Sequence, residues 1–342
     1  MRPYLLLTLA VPVLGLFALP AQADPDYAAL RTQIREAHTE PGYAALSVAA
    51  DKLQSAIDQY CKAGQQSGAP QAARQAFHRA MDAWQAVQHI RSGPIEDQDG
   101  HARLQFWPDK RGITARHLRQ FLFTAPSPTL DTDIADMSVA VQGFPALEQL
   151  LFTTKPLSRK TLGAEKVDRC SAAHAISLNI AGIARTLHTA SQSDSGGIDA
   201  RTAVSAVFND LITGLKFVQS VKLKDAVETA TPRPHRLENW RSKRSLKNIA
   251  INLGSMKALY QLLYASSSVD TETHALALQQ FDAALQGVRT MGEDGTAVLA
   301  KADGAAHFLA LSKSIELIRE RIAPTLVDVL KLPLGFNSLD GD

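Results

Sequence analysis

The sequence predicts an all-α protein arranged as two helical bundles. Apolar residues recur at intervals of three and four along most of the chain, which is the period of a helix with one buried face. Strand-like alternation is nearly absent, and no Asn-Gly hairpin signal occurs. The periodic stretches are also long, which suits bundles.

Each element has its own stripe. Residues 41–63 carry Leu46, Leu53, Ile57 and Tyr60. Residues 70–90 carry Phe77, Ala80, Met81, Trp84 and Val87, with Pro70 at the start, where a missing N–H costs little. Residues 164–190 carry Val167, Cys170, Ala173, Ile176, Ile180, Ile183 and Leu187. Residues 199–221, 237–265, 272–289 and 296–322 repeat the pattern. Between them, 91–112 holds two Pro, three Gly and many charges, 191–199 (SQSDSGGID) has linker composition, and 230–236 (ATPRPHR) reads as a Pro-bounded basic loop. The expected organisation is therefore a bundle over 24–190, a linker over 191–199 and a second bundle over 200–342.

Residues 1–23 read as a removable secretory leader. Arg2 precedes an apolar run from Tyr4 to Leu19, and Ala21-Gln22-Ala23 supplies a small-residue cleavage site, with cutting expected after Ala23. Pro12, Gly15 and Pro20 make the run a poor membrane anchor, and no later apolar stretch is long enough to span. The mature chain is expected to be exported to the periplasm with no membrane span. Its 36 basic and 34 acidic residues nearly cancel, which argues against a nucleic-acid partner. Hydrophobic content of 45% supports sizeable cores and excludes a disordered chain. Two cysteines, Cys61 and Cys170, exclude a disulfide-rich scaffold and an all-cysteine zinc site. They are a disulfide candidate in an oxidising compartment; two buried thiols are the alternative.

Three segments carry residues suited to chemistry. Arg103-Leu104-Gln105-Phe106-Trp107-Pro108-Asp109-Lys110-Arg111-Gly112 sets two aromatics beside charges, a composition that lines pockets but also pins a long connection to a core. In Gly143-Phe144-Pro145-Ala146-Leu147-Glu148, Gly143 allows a break and Pro145 fits the first turn of a new helix. Glu148, flanked by Leu147 and Leu150, needs a cation, a backbone N–H cluster or a metal; stabilising the helix N-terminus is the simpler role. On a helix, Arg241, Ser245 and Asn248 share a face, with Ser242 beside them, an arrangement suited to an anion or equally to a solvated face. Three i,i+4 pairs, His78/Asp82, Cys170/His174 and Asp270/His274, and the H-x-x-E of His235 and Glu238 are weak metal candidates. No G-x-S-x-G, H-E-x-x-H or phosphate loop is present.

Taken in order, these pieces resemble the imelysin-like (peptidase M75) family over most of the mature chain. The matching pieces are Ala83-Trp84 with Ser92-Gly93-Pro94, the RLQFWPDKRG loop, GFPALEQLLF, RSKRSLKNIAINL with Tyr260 beyond, and the ending Gly335-Phe336-Asn337-Ser338-Leu339-Asp340-Gly341-Asp342. The resemblance implies two helical bundles with a site in the groove between them, an envelope location and association with iron uptake. It also brings metallopeptidase activity, ascribed to the founding members. The family signature is G-x-H-x-x-E; Gly143 and Glu148 match it, but Pro145 stands at the histidine position. The family's Ser-rich helix maps onto Ser242 and Ser245, with Asn248 in the acidic place.

A zinc peptidase needs about three protein ligands and a water, and this motif supplies Glu148 alone. The expectation is a non-enzymatic exported protein associated with iron uptake, with no catalytic residues and no cofactor. It would bind an anionic or iron-linked ligand, or an envelope protein, in the groove. The expected binding set is Arg103, Trp107, Asp109, Gly143, Glu148, Arg241, Ser242, Ser245 and Asn248, with Arg103 and Arg241 holding anionic groups. The alternative is an M75-type peptidase with iron or zinc on Glu148, joined by His235, Asp340 and Asp342.

Overall fold

In a computed structural model, residues 25–332 are described, apart from 64–69, 125–133, 156, 158–159, 194–196, 229–230 and 266–270. The leader and the C-terminal GFNSLDGD, with Asp340 and Asp342, lie outside the described residues, as does Asp270. Every regular element among the described residues is helical.

The helices are α1 (Tyr27–Ile34), α2 (Glu40–Ala63), α3 (Gln71–Val87), α4 (Gly100–Leu104), α5 (Ile113–Thr124) and α6 (Phe144–Leu151). They are followed by α7 (Arg169–Ser191), α8 (Ala200–Phe217), α9 (Ser245–Ala265), α10 (Thr271–Met291), α11 (Gly295–Leu299) and α12 (Gly304–Leu330). Helix starts are set by side chains that satisfy otherwise unpaired backbone N–H groups. Asp168 caps α7 through Ser171 N, and Asp199 caps α8 through Thr202 N. Pro70 precedes the first residue of α3, and Pro145 sits in the first turn of α6.

The apolar stripes assemble two cores. The first gathers α2, α3 and α7 around Leu46, Leu53, Phe77, Trp84, Ile176 and Ile180, with α5 and α6 laid against them. The second gathers α8, α9, α10 and α12 around Leu211, Leu253, Phe281, Phe308 and Ile315. In one respect the division differs from the expected 24–190 unit: α1 buries Leu30 and Ile34 in the second core. A π-helical turn, Arg35–Thr39, then carries the chain into α2. Helices α3 and α9 pack against each other and join the two bundles. The linker region is shorter than 191–199, since α7 runs to Ser191 and Ala200 opens α8.

Cys61, near the end of α2, is bonded to Cys170, near the start of α7, with the Cα atoms 5.8 Å apart and a sequence separation of 109. A cross-link over so long a loop restricts the unfolded chain strongly. Substituting both cysteines by Ser is expected to lower unfolding free energy by about 2–5 kcal/mol. Urea titration of the oxidised protein against the variant checks this; coincident midpoints would contradict it.

Candidate functional site

A cavity of about 330 Å³ lies where the bundles meet. Loop 105–112 and the starts of α5 and α6 form one side; residues Val221, Asp225 and 235–241 form the other. Phe106, Trp107 and Pro108 line it from the loop, with Pro145, Glu148 and Gln149 from α6 and His235, Trp240 and Arg241 from the second bundle.

The loop is fixed from both ends. The Gln105 amide donates to Glu238 Oε1 at 3.0 Å. Asp109 accepts from Ile113 N through Oδ1 and from Thr114 N through Oδ2, each at 2.8 Å, and so caps α5. Burial pushes the Asp109 carboxyl up, but these backbone N–H groups outweigh it and hold the carboxyl below its ordinary value. Trp107 meets Phe217 of α8 edge to face, centroids 5.9 Å apart, and the Trp107–Pro108 peptide is cis. Gly143 is required by close approach: a Cβ there would stand 2.3 Å from the carbonyl oxygens of Arg103 and Leu104.

The opposite wall corrects the sequence reading. Residues 237–244 are not the first turns of a helix; α9 begins at Ser245. Asn239 and Lys243 adopt left-handed backbone conformations, φ 51° and 60°, which break the helical path. Arg241, Ser245 and Asn248 therefore do not share a helix face. Arg241 lies over the Trp240 ring, 4.4 Å from its centroid, and lines the cavity. Ser245 is buried away from it, and Asn248 is wholly buried in a hydrogen-bond network.

Glu148 is buried and serves the turn. Its Oε1 accepts from Ser242 N at 2.9 Å and from Ser242 Oγ at 2.5 Å. Burial raises its pKa, opposed by the two Ser242 bonds and the nearby Arg241 guanidinium. Arg241 is pushed down by burial, with Glu148 and Asp109 opposing; a guanidinium stays charged regardless.

Of the expected set, Trp107, Asp109, Glu148 and Arg241 line the cavity, and Ser242 backs it through Glu148. Arg103, Gly143, Ser245 and Asn248 do not line it. Arg103 is turned into the first bundle, where it donates to Gln142 Oε1 at 2.7 Å and Asn179 Oδ1 at 3.1 Å. Trp240, Gln105 and Gln149 were not in that set, although Trp240 beside Arg241 repeats the ring-and-cation composition of the loop.

Two of the weak metal pairs are otherwise engaged. Cys170 is in the disulfide, and His174 contacts Asp58 at 2.5 Å. His78 and Asp82 both bind Arg244. Glu238 is fully enclosed beside Lys222, while His235 lies on the cavity wall. Among the described residues, nothing completes a metal site at Glu148. Pro145 offers no donor, one carboxylate oxygen is held by an N–H and an O–H, and a guanidinium faces the group. Among the described residues, no three His, Cys, Asp or Glu are grouped to hold a metal ion.

Below the cavity a buried polar network ties the bundles together. Lys222, on the π-helical turn Val218–Leu223, points its Nζ at Gln85 Oε1, Gln88 Oε1, Glu238 Oε2 and Asn252 Oδ1, at 2.6–2.8 Å. Glu238 also accepts from Gln88, Gln105 and Asn248. Asn248 in turn accepts from Arg244, which reaches Asp82 and His78 on α3.

The fold and site thus define an all-helical protein of two packed bundles with an aromatic, Arg-bearing pocket between them. The chain belongs to the Imelysin (peptidase M75) family, whose profile matches residues 39–320. It is 24% identical over 222 residues to a Synechococcus elongatus protein named iron-regulated protein A; the match covers 62% of this chain and 58% of that relative, little more than half its length. An imelysin-like protein from Psychrobacter arcticum 273-4 shares the fold, with a TM-score of 0.69 at 18% identity over 92% of this chain and all of that one. A Parabacteroides distasonis ATCC 8503 structure, proposed by its description to be an iron-regulated protein A precursor, has a TM-score of 0.68 at 15% identity, covering 90% and 97% of the two chains.

Proposed function

We propose that this chain is an exported, non-enzymatic member of the imelysin family that serves iron uptake by binding a ligand in the interbundle pocket. The carrying observation is the pocket itself. Trp107 and Trp240 provide apolar walls, Arg241 provides a charge for an anionic group, and Glu148 is committed to the Ser242 turn. Concave aromatic walls with few polar groups suit a small molecule. The iron association rests on the names of the cyanobacterial and Parabacteroides relatives. Export rests on the leader-like residues 1–23 and is consistent with the lack of any membrane-spanning helix among the described residues. Cleavage after Ala23 would release the chain into the periplasm.

Complementation under iron limitation tests the reading. Deletion of the gene is expected to slow growth, and the wild-type gene to restore it. A Trp107→Ala/Arg241→Gln variant is expected to fail although it folds, as judged by its thermal unfolding curve. Full restoration by that folded variant would contradict a role for the pocket.

A further inference from the structure

A second cavity, of about 660 Å³, lies on the far side of Trp240 and Arg241, which line both. Its apolar surface comes from the half-buried Phe123 and Phe152, with the buried Leu118 and Leu122 of α5 behind them. Five cationic side chains line it against a single carboxylate, Glu165. Its Oε1 is paired, with Arg169 at 3.2 Å and Lys155 at 4.0 Å, while its Oε2 has no hydrogen-bond partner. Arg119 and Lys243, both exposed, have no acidic partner among the described residues. The buried Arg169 adds a second sign of an absent partner, since its Nε hydrogen-bonds to nothing. A buried donor left unpaired costs about 1–3 kcal/mol, so native structures seldom keep one without a partner.

An apolar floor and surplus positive charge select for an anion with a hydrocarbon body. An inorganic anion would leave the Phe123 and Phe152 surface wet, and an uncharged apolar molecule would leave the cations unmatched. We propose that this cavity is a second binding site, for an amphipathic carboxylate whose head group meets Arg169, Arg119 and Lys243 and whose body covers Phe123 and Phe152 above the buried Leu118 and Leu122. The site shares Trp240 and Arg241 with the interbundle pocket, but Arg119, Arg169 and Lys243 do not line that pocket.

Calorimetric titration of the purified protein with decanoate, below its micelle concentration, tests this, with inorganic phosphate and octyl glucoside as separate probes. Decanoate is expected to saturate at one equivalent and to shift the Leu118 and Leu122 methyl resonances, while neither other probe saturates. Arg169→Met is the direct variant, but it strips Glu165 of its counter-charge and endangers folding. The exposed pair Arg119→Gln/Lys243→Gln is therefore decisive, and is expected to weaken decanoate roughly tenfold. No saturable binding overturns the proposal. So does phosphate binding as tightly as decanoate, octyl glucoside saturating the same methyl groups, an unchanged affinity in the double variant, or shifts centred on Leu237 of the interbundle pocket.

Discussion

Replacing Lys222 by Met is expected to lower the unfolding free energy by about 3–5 kcal/mol, the range for breaking a buried ion pair from one side. The ammonium is enclosed and meets four oxygen atoms, from Gln85 of α3 and Gln88 just after it, from Asn252 of α9 and from Glu238. Met fills similar volume but donates nothing. Three amide oxygens then lose a donor, and the Glu238 carboxylate stays buried without its counter-charge. Burial alone would raise the Glu238 pKa; Lys222, with amide donors from Gln88 and Asn248, more than reverses that and keeps it below the ordinary value. Adding Glu238→Gln removes the stranded charge, so the double variant is expected to lose less than the sum of the single losses. Urea unfolding of the four proteins measures this coupling; simple additivity would contradict a charged pair at this junction.

Acidification is expected to destabilise the protein through histidines that are buried neutral. His38 and His89 approach Nε2 to Nε2 at 2.9 Å, so only one of these nitrogens carries a proton. His101 binds the Gln88 carbonyl and packs its ring against Trp84. Burial lowers His38 and His101 from 6.5 to about 4, and His89 well below 6.5. The unfolded chain then takes up protons that the folded chain refuses. Stability from these groups is complete above pH 6.5 and is lost as pH falls through the interval down to about 4. Buried Glu148 and Asp210, whose carboxyls are raised by burial, work in the opposite sense. A His38→Gln comparison isolates the histidine effect. Gln keeps a hydrogen-bonding partner near His89 without titrating, so stability should fall with acid less steeply, by up to about 1.4 kcal/mol per pH unit. Parallel stability curves for the two proteins between pH 6.5 and 4 would contradict the assignment.

The helical stripes were legible because burying one face leaves a period of three to four in the sequence; α2, α3 and α10 begin and end close to where it predicts, while α7 begins five residues later, at Arg169. Pro145 in the first turn of α6 was legible from proline's fixed backbone angle. The failure at 237–244 has a physical source. Leu237 and Trp240 continue the apolar spacing of α9, while the break depends on left-handed backbone at Asn239 and Lys243. Asparagine tolerates that conformation, but lysine gives no sign of it. Arg103 was misjudged because nothing local to 103–112 reveals Gln142 and Asn179, which hold it. The Lys222 network includes bonds between residues 166 positions apart, beyond any local pattern. Its trace was Gln85 and Gln88 beside the buried Trp84 on a stripe otherwise apolar.

Under the proposed function, Glu148 holds the Ser242 turn and no metal, and the chain cleaves no protein. Digestion of an unfolded protein substrate by the purified, signal-cleaved chain, with and without chelator, tests it most directly. The account predicts no cleavage above background in either condition and no change with Glu148→Gln. Chelator-sensitive cleavage that disappears in a folded Glu148→Gln variant would contradict it.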